Sequence, residues 1–354
     1  MSRFLQLHLL TFIPPANLNR DDTGRPKTAV VGGATRLRLS SQALKRAWRT
    51  SEAFSTALAG HMGQRTQRLG EVMLAHLRAG GMDEAKAIAA ARDIAGVFGK
   101  VKDAKDGNPA RTEQLAFISP EERQAALALA DRALAGEKID AKAAGLLRRT
   151  DTAADIALFG RMLADSPSYN REAAAQVAHA ITTHKVTVED DYYTAVDDLK
   201  TAAEDAGAGF LGEAAFGSGV FYLYLCVDRT LLVNNLGGDT ALAAIALGAL
   251  VEAAATVVPR GKQNSFAAHG RAGYVLAERG NQQPRTLAGA FAHPVSGDDV
   301  MKISIEELRT FRAAIDKAYG PAADASIEML LVGGDHTLAE VVAFFREDAP
   351  CPAT

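Results

Sequence analysis

The sequence predicts an α+β fold, a sheet domain interrupted by a helical lobe, and three observations carry that prediction. Strand-like runs of large apolar residues open the chain and return in its second half. Ala-rich helical text fills the stretch from about Gly60 to Ala180. Two long helical patterns are interspersed among the later strands, as in sheets whose helices lie to one side. At 354 residues and 48% hydrophobic composition, the chain can bury a sizeable core and more than one lobe.

The opening "RFLQLHLLTF" reads as a strand that ends at Pro14-Pro15, where one ring removes a backbone donor and the next restricts its predecessor. Polar and turn residues follow up to the short apolar run "TAVV". Gly32-Gly33 then allows a turn into "TRLRLS", whose alternation suits a strand. Ser40 or Ser41 caps a helix predicted from Gln42 to about Leu58. Four helices are predicted next, in "HMGQRTQRLGEVMLAHLRA", "MDEAKAIAAARDIAGVF", "SPEERQAALALADRALAG" and "YNREAAAQVAHAIT". Strand-like text returns with "THKVTVED" and "GVFYLYLCVDRTLLVNNL", and the glycine-rich segment between them suits a projecting hairpin or long loop. After it come a small-residue helix at about Thr240 to Ala255, a strand-rich zone at about Asn264 to Ala277, a charged helix near Ile303 to Ala318 and the apolar "IEMLLVGG". The division is 1–58, a sheet segment with the capped helix; 59–180, the helical lobe; and 181–354, the second sheet segment.

Charge is unevenly distributed. The formal net charge is -3, yet residues Asn17 to Ser51 hold eight Lys and Arg against two Asp. Overall charge is therefore a poor test for a polyanion partner. Gln42, Lys45, Arg46 and Arg49 fall at helical offsets of zero, three, four and seven, which gathers them on one face. Leu44, Ala47 and Trp48 take the inward positions. Arg20, Arg25, Lys27, Arg36 and Arg38 can extend the patch. Spacing alone leaves three readings open: phosphates of RNA or DNA, an acidic protein, or a solvated basic face.

Other chemistries find little support. Cys226 and Cys351 form neither a disulfide framework nor a zinc pattern, and Cys226 reads as a buried thiol. The eight histidines are dispersed, and Asp21-Asp22 and Asp190-Asp191 show no two-metal spacing. Gly32-Gly33, Gly237-Gly238 and Gly333-Gly334 lack the frame of a phosphate-binding loop. No cofactor or metal is expected. Neither a signal segment nor an uninterrupted apolar span of membrane length is seen, so a cytoplasmic protein without membrane contact is the expectation.

The stretch "PPANLNRDDTGRPKTAVVGGATRLRLSSQALKRAWRTS" resembles the N-terminal signature of the Cas7/CasC/Cse4 family, the repeated backbone subunit of the type I-E CRISPR Cascade. The resemblance continues through "DIALFGRMLAD", "THKVTVEDDYYTAVDDL" and "GSGVFYLYLCVD", widely separated sections of the chain. It implies a modified RRM-like (ferredoxin-like) palm, a helical fingers insertion at 59–180 and a projecting thumb at 194–218. It also implies CRISPR RNA, further copies of the chain and other Cascade subunits as partners, with target DNA reached through guide pairing. Arg20, Lys27, Gln42, Lys45, Arg46 and Arg49 map onto the family's guide-binding positions in the palm.

In "FGRMLAD", Met162 resembles an apolar residue that approaches the kinked guide between neighbouring subunits, and Arg161 beside it is expected to reach phosphate or to form a surface ion pair. Phe210, Leu211 and Phe216 are expected to dock on a neighbouring copy. The family's role is positioning and protection of the guide, and no catalytic residue is expected. The alternatives are a metal-dependent ribonuclease and a generic protein-assembly module.

Overall fold

The first strand of the computed structural model, β1 (Phe4–Ala16), does not stop at Pro14-Pro15 but runs through both. Its pairing with the neighbour on one side ends at Thr11↔Ala272, so no donor is required of either proline on that side. The structure describes residues 2–103, 108–195 and 210–347, and of residues 210 and 211 only the backbone. β2 (Thr28–Val31) and β3 (Ala34–Leu39) form a hairpin closed by Gly32-Gly33, both at positive φ (58° and 73°), as a two-residue turn demands. A Cβ on Gly32 would lie 1.7 Å from the Ala292 carbonyl oxygen, so the turn also needs a residue without a side chain.

Helix α1 (Ser41–Arg49) starts at Ser40, whose hydroxyl accepts from Ala43 N–H. It is shorter than the sequence predicts. The Thr50 hydroxyl donates to the Arg46 carbonyl at 2.9 Å and the Ser51 hydroxyl to the Trp48 carbonyl at 2.7 Å, competing with further helix. Ser51 then accepts from Phe54 N–H, and a separate α2 (Glu52–Ala57) follows.

β4 (Gln64–Thr66) pairs with the later β5 (Ala116–Ile118), and between them lie α3 (Leu69–Ala79) and α4 (Glu84–Ala95). α5 (Pro120–Leu134) begins with a capping box between Ser119 and Glu122, and α6 (Ala154–Phe159) follows. The fourth predicted helix is absent. "YNREAAAQVAHAIT" forms two short strands instead, β6 (Ala175–Val177) and β7 (Ala180–Thr182). Alanine favours helix locally, but Ala180 and Ile181 pair with β3 on one side and Ile181 with Tyr222 on the other, and sheet pairing overrides the propensity.

β8 (Glu189–Ala195) is antiparallel to the start of β9 (Phe210–Asp228), from Glu189↔Phe216 to Ala195↔Phe210. The run "RTLLVNNL", read as strand in the sequence, is mostly α7 (Arg229–Asn235), capped by the Asp228 carboxylate on Leu231 N–H. α8 (Thr240–Thr256) lies where expected. The predicted strand-rich zone opens instead with a four-residue α9 (Gln263–Phe266) and becomes strand only at β10 (Ala272–Gly280). α10 (Val300–Tyr319), β11 (Ala325–Leu330) and α11 (Leu338–Arg346) complete the chain.

The chain divides into two compact units. Residues 1–54, 177–226 and 250–354 form the first, and 55–176 with 227–249 the second. Residues 227–249, which the sequence alone assigns to the sheet segment, thus belong with the helices. The first unit carries a sheet in the order β11-β10-β1-β9-β7-β3-β2, and β8 pairs with β9 off this path. One face of its core gathers Leu10, Tyr222, Tyr274 and Leu276 against Phe291, in the turn that precedes α10, and against Leu308 of α10 itself. Leu5, Leu7 and Leu9 alternate to the other face and are also fully buried, so the sheet is covered on both sides.

In the second unit, α3, α4 and α5 pack through Met73, Leu77, Ala91, Ile94, Ala126 and Leu129. α7 is tied into it by Asn235, whose carbonyl accepts from Arg171 and whose amide donates to the Ala157 carbonyl. The fold is thus a mixed α/β one.

Candidate nucleic-acid interface

α1 presents its polar face as the spacing predicts. Leu44, Ala47 and Trp48 are buried, and the Trp48 indole donates to the Val257 carbonyl at 3.3 Å. Gln42 and Arg46 are exposed, Lys45 and Arg49 half-buried. Burial lowers the Lys45 pKa, so its ammonium gains when an anion replaces lost water. Arg46 and Arg49 occupy the last turn, where cations complement the helix dipole.

The loop before β2 is joined to the start of α1 by one side chain. Asn19 Oδ1 accepts from Ser40 N–H at 2.8 Å, while the Asn19 carbonyl accepts from Lys27 N–H at 2.8 Å. Arg20, in a backbone bridge with Pro26, is exposed, and Lys27 is half-buried. Among the described residues Arg20, Lys27 and Arg46 are in no ion pair. The other cations of this stretch are differently engaged. Arg25 pairs with Asp190 at 2.7 Å. Arg36 is fully buried and donates to the Thr182 and Phe291 carbonyls, so it does not extend the patch. Arg38 donates to His179 Nδ1 at 2.8 Å. Burial, then the charges of Arg38 and Lys27, lowers the His179 pKa, which keeps that ring a neutral acceptor.

In the second unit the predicted pair at 161 and 162 separates by environment. Met162 is 80% exposed. Arg161 is buried, and its guanidinium meets Glu122 at 2.6 Å and donates to the carbonyls of Phe117, Arg148 and Tyr169. A phosphate would have to break that network, so the Arg161 guanidinium is held by the fold and not offered to an anion in this structure.

β8 and β9 form an antiparallel ladder that begins at Glu189↔Phe216, before the start of the 194–218 segment. Residues 196–209 of the 194–218 segment lie outside the described residues, as do the side chains of Phe210 and Leu211. Phe216 is half-buried with its ring 6.0 Å from that of Phe266 in the same chain, so packing within the protomer already occupies one side of it. Among the described residues no group of three or more His, Cys, Asp or Glu is placed to hold a metal ion. No helix among them is long and apolar enough to cross a membrane.

A family model described as CT1975-like protein matches residues 5–343, nearly the whole chain. The chain belongs to that family. A solved chain described as "CRISPR RNA-guided surveillance complex, pre-nicking" is 30% identical to it, with a TM-score of 0.85 over 97% of this chain and 99% of that one. A second, described as "CRISPR RNA-guided surveillance complex", is 26% identical with a TM-score of 0.72 over the same shares. A comparison with curated proteins gave no match.

This CT1975-like chain has further cations near α1 that sequence reasoning missed. Arg260 donates to the Thr50 carbonyl at the end of α1. Lys262 lines a groove together with Arg20 and Arg25. Neither has a spacing signal, since both reach the basic region only through the packing of the 259–263 loop. A Cβ on Gly261 would lie 2.3 Å from the Leu18 carbonyl oxygen, so that loop is seated directly on the segment leading to Arg20. The first unit therefore assembles point charges and planar guanidinium groups on fixed backbone. Such a set binds phosphate esters through charge and ribose or phosphate oxygens through hydrogen bonds.

Proposed function

We propose that this chain is a non-catalytic CRISPR RNA-binding backbone subunit of the Cas7/CasC/Cse4 kind, part of a type I-E Cascade surveillance complex in the cytoplasm. The observation that carries the reading is the near end-to-end likeness to a chain of a CRISPR RNA-guided surveillance complex. The exposed basic face of α1 and its joined loop support the location of the guide contact. In this reading the first unit is an RRM-like palm, the second the fingers and the 194–218 hairpin the thumb. Arg20, Lys27, Lys45, Arg46 and Arg49 neutralise phosphates, Gln42 hydrogen-bonds to the sugar-phosphate backbone, and exposed Met162 lies against unstacked bases. Copies polymerise along the guide, other Cascade subunits complete the particle, and guide bases select the target DNA. Because phosphate and ribose recur in every guide, one repeated subunit serves any spacer.

The test is salt-resolved binding of the purified protein to two unrelated guide-length RNAs and the matching DNAs, with particle mass followed as protein is added. Equal affinity for the two RNAs, weaker DNA binding and a stepwise rise in mass are expected. Preference for one base sequence, or a monomer that degrades RNA when metal is added, overturns the proposal.

A further inference from the structure

We infer that the groove between the β1–β2 loop and the foot of the β8–β9 arm is a ribose-phosphate subsite, in which Arg20 and Lys262 hold a phosphate and Glu213 accepts the neighbouring 2′-hydroxyl. The inference rests on the RNA-binding reading and adds a source of discrimination against DNA. Arg20, Gly24, Arg25, Asp190, Glu213 and Lys262 are among the residues lining the groove.

Its walls are fixed from both sides. The buried Asn17 amide donates to the Gly24 and Ala215 carbonyls at 2.9 Å each, and so fastens the loop to β9. The third wall is the loop seated on Leu18 through Gly261. There Lys262 adopts a left-handed conformation (φ 48°, ψ 28°), and with Ala267 it is one of two non-glycine residues at positive φ among those described. A lysine held at such an angle is strained, and the strain persists only where surrounding structure dictates the position. The Gln263 amide dictates it here, donating to the Pro259 and Ala268 carbonyls and so closing the loop around α9.

The charges in the groove are not equivalent. Asp190 is engaged by Arg25, whose Nη1 and Nη2 lie 2.7 and 3.4 Å from its two oxygens. That leaves Arg20, Lys262 and Glu213, none of which is in an ion pair among the described residues. Two cations suit a phosphate. An ionised carboxylate beside them would repel the same phosphate, but it is an acceptor only, and the sole donor on a ribose-phosphate backbone is the 2′-hydroxyl. An acid at this position therefore favours RNA and opposes DNA.

The experiment measures full-length protein binding to oligouridylate, its deoxy counterpart and its 2′-O-methyl counterpart of equal length, across a salt series. K262A and K262Q are expected to weaken all three and to lower the salt slope by up to about 0.7, the share of one phosphate on a single strand. E213Q is expected to lower RNA affinity about tenfold, as loss of a hydrogen bond to a charged group does, while leaving the deoxy and 2′-O-methyl oligomers unchanged or tighter. E306Q, an exposed acid on α10, serves as the control for net charge. An E213Q effect equal on RNA and DNA, or Lys262 variants with unchanged slope, overturns the inference. If the α1 variants lose RNA while the Glu213 and Lys262 variants do not, the subsite fails and the RNA-binding reading stands. Wild-type protein that does not prefer RNA refutes the reading itself.

Discussion

Replacing Lys45, Arg46 and Arg49 together by Ala tests whether the α1 face is the guide contact. In this reading five phosphates are neutralised, one each by Lys27 and these three and one by Arg20 together with Lys262. At about 0.7 per phosphate on a single strand, they give a slope of about −3.5 in log K against log salt. Raising salt from about 50 to about 200 mM then weakens binding about 130-fold in the wild type and about 7-fold in the triple variant, whose slope falls to about −1.4. The fold should survive, since the inward Leu44, Ala47 and Trp48 are untouched and Ala is a stronger helix former than the residues replaced. Fluorescence anisotropy with two unrelated RNAs at four salt concentrations reads both slopes. An unchanged slope, or a loss confined to one of the RNAs, would refute the assignment of this face to phosphates.

Three further outcomes are expected. Trp48→Ala removes a fully buried indole and its bond to Val257, and should cost about 3–5 kcal/mol in urea unfolding. Arg161→Ala leaves Glu122 buried without its charge partner and should cost about 3–5 kcal/mol by the same measure, with the salt slope for RNA unchanged at temperatures where the variant is folded. The third outcome concerns acid. Burial alone would raise the Glu278 pKa, but His8 and Arg285 overcome it and hold the carboxyl well below its usual 4.5. The unfolded chain therefore takes up a proton near pH 4.5 that the folded chain refuses, and stability falls as pH drops through that value. Glu278→Gln should flatten this part of the stability profile in urea titrations between pH 3 and 6, while lowering stability at pH 7 because Arg285 and Arg312 lose their buried partner.

What the sequence disclosed was local. The Gly-Gly hairpin, the Ser40 cap and the α1 face depend on neighbours within a few residues, and all appear in the structure. The end of α1 was less legible, because Thr50 and Ser51 carry no fixed preference until their hydroxyls find the Arg46 and Trp48 carbonyls. The Ala-rich "YNREAAAQVAHAIT" misled for a different reason: helix propensity is a property of the segment, whereas its pairing to Arg38, Leu39 and Tyr222 is a property of the sheet. Burial of Arg36 and Arg161 was equally hidden, since composition counts charges without saying where the chain takes them. Lys262 joins the site only because Gly261 meets Leu18, a contact that no sequence spacing encodes.

Arginine accordingly has two physical roles in this chain, and they respond to different perturbations. Arg36, Arg161 and Arg171 are buried among carbonyls and carboxylates, where water and salt do not reach. Their loss is a stability effect, nearly independent of ionic strength. Arg20 and Arg46 stand in solvent, where they add little to the fold and much to an encounter with phosphate. Screening over about 8 Å at physiological salt also makes the net charge of -3 irrelevant to that encounter. A polyanion passing α1 senses the local face and not the acids elsewhere on the chain. Stability and salt slope, measured on the same variants, thus sort the arginines, and an arginine that moved both would mark a place where the binding face is itself held together by the ligand's charge.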